Sequence, residues 1–346
     1  MALEIEEIRS LDRLVRTSEE WRETLSTSGE DRLFLSLAWL KPWWECFGDR
    51  RELLVLRVVE DGRAVGFAPF MVTARGRIAH WRKLEFIGSG PSDRCGIIAA
   101  EGRPDVHRAV WDHLRARDDW DVIELRDLLA GGPTEQTVRA CHPSAEYATS
   151  ISPYIRLEND YPTYFAGLSR SMRSNLGRGW RRLEDEGAVL RTLRTPAEVE
   201  GATRYLKELS DARWDIANVL KVPRMIEFVA SAAKEMAREG TVAFHAIEVN
   251  GHPTAIAMGF EDRDRYLHYL SGFDPELAKY SPGSVLLLKI IEDCYRAGRT
   301  EVDLLRGTEH YKYRFNAVDR VQVHFRALNR GLLRSASCAL REAPLS

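Results

Sequence analysis

Asp303, Arg306, Glu309, His310, Tyr311, Lys312 and Arg314 fall within a dozen residues of one another. A carboxylate can take a proton, an imidazole titrates near neutral pH, and a phenol can give a proton back. A cation can hold the negative charge that develops on an attacked carbonyl or sit on a phosphate. A second group precedes these residues. Tyr280-Ser281-Pro282-Gly283-Ser284 opens the run VLLLKIIEDCYRA, which has helical spacing. The first N–H groups of a helix have no partner within it, and together with the helix dipole they bind phosphate. Two plainer readings stay open. Pro and Gly are ordinary at a helix entry, and a charged loop can simply be solvated.

The elements that must hold these residues can be read from the pattern. Glu301–Leu305 is a predicted strand, so the polar cluster stands at a strand's C-terminal end, where α/β folds place ligands. The predicted helix over Ser284–Ala297 precedes that strand, and a strand over Arg265–Ser271 precedes the helix. Upstream, Val242–Val249 and Thr254–Phe260 flank an Asn250-Gly251 turn and predict a hairpin. Two helices, Ala197–Leu209 and Arg224–Arg238, and one long helix from Pro162 to about Glu186 complete this half. The first half repeats the order. A helix covers Ser18 to about Leu25, and a hairpin turns at Asp61-Gly62 between Leu53–Val59 and Ala64–Phe70. A strand over Lys83–Gly88, a helix over Asp105–Arg115 and a strand over Trp120–Leu125 follow. The breaker-rich stretch 130–144 suggests a boundary near residue 150. Val321–Leu328 is the last predicted strand. Two copies of one mixed α/β domain, residues 1–150 and 151–346, follow from this echo.

Composition narrows the function classes. The chain has 346 residues, 44% hydrophobic and 29% charged, with 50 Lys and Arg against 52 Asp and Glu. That balance argues against a general affinity for nucleic acid or an anionic membrane. No stretch reaches the roughly 18 apolar residues of a membrane span. The start MALEIEEIRSLDRL is acidic where a signal peptide is basic, so the expected location is the cytoplasm. Cys46, Cys95, Cys141, Cys294 and Cys338 form no CxxC pair, and the nine histidines show no HExxH or HxH spacing. No metal site is expected. Cys294 lies in an apolar helical run and reads as buried.

The stretch YSPGSVLLLKIIEDCYRAGRTEVDLLRGTEHYKYRF resembles the acetyltransferase domain of the cellulose-biosynthesis-associated (CelD-like) family within the GNAT superfamily, and is distantly similar to Fem-type peptidoglycan aminoacyltransferases. The resemblance rests on Ser-Pro-Gly before the helix, on VDLLRG with Asp303 and Gly307, and on Tyr311-Lys312. It rests also on the Arg-rich LSRSMRSNLGRGWRRLEDEG, on Trp39 and on Trp214, and it spans about residues 30–330. It implies an α/β (α+β) fold of tandem GNAT-like domains, mixed central sheets flanked by helices, with the working site in the second copy.

The resemblance further implies transfer of an acyl group, acetyl first, from acyl-CoA to an amine held between the two domains. The acceptor would be a small-molecule or saccharide-linked amine. Tyr280, Ser281, Pro282, Gly283, Ser284 and Arg173 would bind the donor. Asp303, Glu309, Tyr311 and Lys312 would carry catalysis: a carboxylate as base, Tyr311 toward the leaving thiolate, Lys312 toward the carbonyl oxygen or a phosphate. Asp93, Trp39, Trp214 and Arg306 would meet the acceptor. For Asp93 a turn-forming role stands beside this, and for Trp39, Trp43 and Trp44 core packing does. The other arginines of the run, Arg170, Arg178, Arg181 and Arg182, fit a solvated helix face as well as a phosphate site. The Arg/Gln-x-x-Gly-x-Gly/Ala signature of GNAT donors is absent, and KYSPGS keeps one glycine. A Fem-like transferase fed by aminoacyl-tRNA, which would bring in tRNA as partner, and a non-catalytic GNAT-like scaffold therefore remain alternatives.

Overall fold

The two turns that the sequence marks most strongly are both formed. Asp61 and Gly62 take φ of 49° and 78°, and Asn250 and Gly251 take 52° and 79°. Two consecutive left-handed residues give the turn whose twist matches antiparallel strands. The computed structural model describes residues 2–75, 81–143, 145–213 and 219–329. They fall into two compact units. Unit 1 is residues 1–150 with the chain from Val321 onward, and unit 2 is residues 151–320.

Unit 1 contains β1 (Glu4–Ile8), α1 (Leu11–Arg16), α2 (Ser18–Ser26), α3 (Leu37–Phe47), β2 (Arg51–Glu60), β3 (Arg63–Arg75), β4 (Trp81–Phe86), β5 (Ile98–Ala99), α4 (Pro104–Arg115), β6 (Val122–Leu129) and α5 (Pro133–Cys141). Strand β7 (Glu146–Arg156) carries the chain into unit 2. There follow α6 (Tyr161–Gly167), α7 (Arg170–Asp185), β8 (Val189–Leu193), α8 (Pro196–Arg213), α9 (Met225–Arg238), β9 (Val242–Val249), β10 (His252–Asp262), β11 (Arg265–Phe273), α10 (Pro282–Arg296), β12 (Glu301–Asp303) and α11 (His310–Arg314). Strand β13 (Val318–Leu328) returns the chain to unit 1.

The strand order is β1-β2-β3-β4-β6-β13 in unit 1, with β5 beside β3, and β7-β12-β11-β10-β9-β8 in unit 2. Among the described residues each unit holds one parallel pair, β4 with β6 and β11 with β12. The other neighbours run antiparallel. The core of unit 1 gathers Leu54, Phe70, Phe86, Trp111, Ile123 and Phe325. The core of unit 2 that matters for the site lies among α7, α10 and the sheet, with Met172, Leu176, Leu183, Ile247, Tyr266 and Ile290.

Four expectations change. The long helix from Pro162 is two helices, because Leu168 takes extended backbone (ψ 152°) and Ser169 caps α7 by accepting from the Met172 N–H at 3.2 Å. The sequence predicts no element over the breaker-rich stretch, yet Gly132 and Pro133 start α5 within it, and that helix ends at His142. Strand β13 was expected to finish the second half, yet its residues from Val321 belong to unit 1 and pair with β6, from Gln322↔Leu129 to Leu328↔Val122. Strands β1 and β7 were not foreseen.

Helix α7 reaches the turn before α10 through Gly179, where a Cβ would strike the backbone carbonyl of Tyr280. Gly177, on the same helix, has nothing within 4 Å of a Cβ. Gly179→Ala is expected to cost about 1–3 kcal/mol, since a backbone atom cannot swing aside. Gly177→Ala is expected to stabilise by about 0.5–1 kcal/mol. Urea unfolding of the two variants checks the contrast; equal effects would mean that α7 does not lean on that turn.

Candidate active site

The site grows out of a parting of strands. β11 and β12 pair in parallel at Arg265↔Glu301, Tyr266↔Val302 and Leu267↔Asp303, and there the pairing ends. β11 runs on from His268 to Phe273. The other chain follows β7 for one more step, Leu304 N–H donating to the Pro153 carbonyl at 2.9 Å, then turns away at Leu305, whose φ is 56°. A bulge sits at the fork: β10 pairs Met258 with Leu270 and Gly259 with His268, so Tyr269 is the extra residue of β11. Bulges re-aim side chains. Tyr266 and Phe273, an odd number apart, pack on the same core for this reason.

Beyond β11 the chain makes a short 3-10 turn, Pro275–Tyr280, and enters α10 through Ser281 in the left-handed region (φ 53°). Pro282 opens the helix. Gly283 lets it close on the strand end, for a Cβ there would lie 3.0 Å from the Phe273 ring. Tyr280 is buried beneath the entry, its hydroxyl 3.4 Å from the Glu186 carboxylate and the Lys279 ammonium 4.9 Å from its ring. Ser284 is half-buried at the helix start. The expected donor residues 280–284 therefore do form one helix entry beside the fork. Arg173 does not join them. Its guanidinium donates to the carbonyls of Ala166 and Leu168 and ties α7 to the end of α6. Arg170, Arg178, Arg181 and Arg182 are exposed along α7.

The polar cluster after β12 is mostly spent on holding the loop. Asp303 is wholly buried at 0% exposure. Its Oδ1 accepts from the Leu305 N–H at 2.8 Å and from Ser152 Oγ at 3.4 Å, and its Oδ2 meets Arg320 at 2.8 Å. Arg320 also grips Glu301 at 2.6 and 2.9 Å and lies 4.0 Å over the Tyr154 ring. Burial would lower its guanidinium, but the bond to Glu301 and the charges of Asp303 and Glu301 hold it above its ordinary value.

Lys312 is 2% exposed. Its ammonium donates to the carbonyls of Leu305, Arg306 and Gly307 at 3.0, 2.9 and 3.0 Å and meets the Glu309 carboxylate at 2.9 Å. An ammonium has three protons, and these four oxygens claim them all. The expected cation swinging over a carbonyl is instead a buried clip on the loop. Gly307 (φ 111°) is required beside it, since a Cβ would press within 2.9 Å of the Glu309 carboxylate. Glu309 keeps an open side, its side chain 52% exposed. Arg306 is half-buried, and Tyr311 packs against the core under α10.

In unit 1, Trp39 is fully buried, donating its indole N–H to Ser92 Oγ at 2.9 Å and meeting Phe34 edge-on. It is a core residue there and has no face open to an acceptor. Asp93 is buried as well, and its carbonyl accepts from Arg94 at 2.7 Å and from the Gln322 side chain. Elsewhere in unit 1, burial raises the Glu30 carboxyl to about 7, against the lowering effect of its bonds from Thr134. Trp214 lies outside the described residues.

Sequence reasoning missed His245, Tyr266, His268 and Arg320. The histidines stand on apolar strands with no motif around them. Burial pushes His268 down to about 3, with the Lys312 charge and His245 adding to it. Burial, then Arg194 and Arg299, push His245 down to about 4. Among the described residues no group of three or more His, Cys, Asp or Glu could hold a metal ion, and no helix is long and apolar enough to cross a membrane.

Residues 170–313 match the family described as acetyltransferase (GNAT) domain. Three solved structures share the fold. FemX has 9% identity and a TM-score of 0.67 over 94% of this chain and 98% of its own. L-PGS from Bacillus licheniformis has 10% identity and 0.55 over 89% and 90%. A tandem GNAT protein from the clavulanic acid biosynthesis pathway has 14% identity and 0.50 over 95% and 99%. No curated protein matches the chain. The chain thus has the α/β fold of the tandem GNAT-like acyltransferases, and the stretch that matches the GNAT acetyltransferase domain lies within its second unit.

Two outcomes follow from the buried charges. Lys312→Met should cost about 3–5 kcal/mol of stability, because it strips a buried set of oxygens of their cation. Wild-type unfolding in urea would mean that the clip carries no load. The histidines set a pH dependence. Their folded values lie below the ordinary 6.5, so the unfolded chain binds protons that the folded chain refuses. Stability is therefore full above about pH 6.5 and is lost as pH falls toward 4, on the order of 3 kcal/mol for His245 alone. His245→Asn should flatten its share of the slope in unfolding runs from pH 7 to 5.

Proposed function

We propose that the chain is an N-acyltransferase of the CelD-like kind, acting in the cytoplasm. It moves an acyl group, acetyl first, from acyl-CoA to a small or saccharide-linked amine. The observation that carries this reading is the fork of β11 and β12 beside the start of α10. The arm of CoA carries amides, and an extended amide chain can lie along His268–Phe273 as an added strand would. Its pyrophosphate then falls at the helix entry Ser281–Ser284, where backbone N–H groups and the dipole favour an anion.

Within this reading Asp303 and Lys312 are positioning residues. They fix the loop Leu304–Glu309 that walls the fork, and rigid walls are what bring a thioester and an amine into one geometry. Glu309, open to solvent yet anchored on Lys312, draws the ammonium form of the acceptor to the loop, and Arg306 lies beside it. Tyr311 faces the core and steadies α11.

The test separates donor from acceptor. CoA should raise the melting temperature of the wild type. Ser284→Glu should weaken CoA binding at least about tenfold, through repulsion at the helix start, while leaving the melting temperature of the free protein unchanged. Glu309→Gln should raise the acceptor KM and spare donor affinity. No stabilisation by CoA would end this reading. The likeness to FemX favours one rival, an aminoacyl-tRNA donor seated along the exposed arginines of α7. Stabilisation by charged tRNA and not by CoA would select it.

A further inference from the structure

Acylation of an amine near neutral pH releases a proton: R–NH3⁺ and R′CO–S–CoA give R′CO–NH–R, CoA–SH and H⁺. The fork is lined by buried groups, so that proton needs a way out. A row of buried polar side chains leads from the fork across the sheet. His268 is the first residue of β11 past its pairing with β12 and is 6% exposed. It pairs in register with Gly259 of β10, which pairs in turn with Ala243 of β9. Tyr266 lays its ring over Gly259, where a Cβ would take the place of the phenol oxygen. The Tyr266 ring centre is 6.4 Å from that of His268 and 5.5 Å from that of His245 on β9. His245 Nδ1 lies 3.3 Å from Thr192 Oγ1 on β8, which ends the strand order of unit 2 and leaves Thr192 exposed.

The row carries the polar atoms His268 Nδ1, the Tyr266 hydroxyl and His245 Nε2. All three are buried, and among the described residues none has a hydrogen-bond partner. Buried polar atoms are almost always paired with protein or water. The rings themselves pack edge-on or tilted, so it is the three unpaired polar atoms, and not the ring spacings, that call for bridging waters.

We propose that His268, Tyr266 and His245, bridged by water, form a proton path from the fork to solvent at Thr192, serving the acyl transfer proposed above. The accessible edge of His268 takes a proton from the acceptor ammonium as its Nδ1 passes one to the first water. The Tyr266 hydroxyl accepts one proton and donates its own, and His245 hands the last to Thr192 and bulk water. Each group ends with as many protons as it began. The amine's freed lone pair attacks the thioester carbonyl, the C–S bond breaks, and the thiolate keeps the second proton lost by nitrogen. The depressed histidines suit such a path, because neither retains the proton, and the high-lying Tyr266 phenol does not ionise in transit.

The test uses the full chain with acetyl-CoA and two probe acceptors, ethylamine, which arrives as an ammonium ion, and hydroxylamine, which is largely neutral near pH 7. Tyr266→Phe keeps the ring and removes only an unpartnered hydroxyl, so the fold should hold. Its kcat with ethylamine should fall by about 10²-fold, with unchanged donor KM and unchanged kcat with hydroxylamine. His245→Gln should do the same. Equal loss with both acceptors would show a structural role, and no loss would remove the path; either overturns the proposal. If the wild type transfers acetyl to neither probe, the enzymatic reading is what fails. The path is then read directly from solvent exchange of the His268 ring N–H in ¹⁵N-histidine protein. That exchange should slow at least about tenfold in Tyr266→Phe, and an unchanged rate overturns the path.

Discussion

The ammonium of Lys312, buried among the oxygens of Leu305, Arg306, Gly307 and Glu309, is the contact on which the site's shape depends. The loop after β12 must leave the sheet abruptly, and it does so with Leu305 at a positive φ and Gly307 at another. Such backbone does not hold itself. Its carbonyls point inward, away from any strand, and a cation three residues into the next turn gathers them. Asp303 and Arg320 do the same work on the strand side, where the Leu305 N–H would otherwise be left behind.

Charge in unit 2 is thus used where regular hydrogen bonding gives out. β11 and β12 stay paired for three residues and then separate. Asp303, Arg320 and Lys312 pin the departing chain at the separation. The bulge at Tyr269 fits the same need, turning the far end of β11 so that Phe273 meets Gly283 and α10 starts next to the fork.

The sequence was most legible where a residue type has one conformational meaning. Asp61-Gly62 and Asn250-Gly251 fix hairpins through positive φ, and Ser281-Pro282-Gly283 fixes the entry of α10. It was least legible where roles depend on partners far along the chain. Lys312 and Asp303 stood out as reactive groups because nothing local showed Arg320 or the inward carbonyls. Arg173 read as a donor ligand because it matches the family pattern, and the merging of α6 and α7 into one long helix hid the helix end that it ties down. Trp39 looked available because the hydroxyl it bonds, Ser92, lies 53 positions away. His268 carried no signal at all, since a histidine in an apolar strand reads as packing. β1 and β7 escaped because their residues are half-buried and do not alternate cleanly.

The chain's path through the two units bears on the order in which the protein is made. Unit 2 is one uninterrupted stretch, residues 151–320, whereas unit 1 needs β13 to complete the edge of its sheet beside β6. A ribosome delivers the β13 residues from Val321 after the whole of unit 2. Unit 2 therefore has all of its strands while unit 1 still presents β6 without the neighbour that covers Leu125 and Leu128. The segment that comes first in the gene is the one that closes last, and a nascent chain stalled before residue 321 would carry a finished unit 2 while the sheet of unit 1 stayed open.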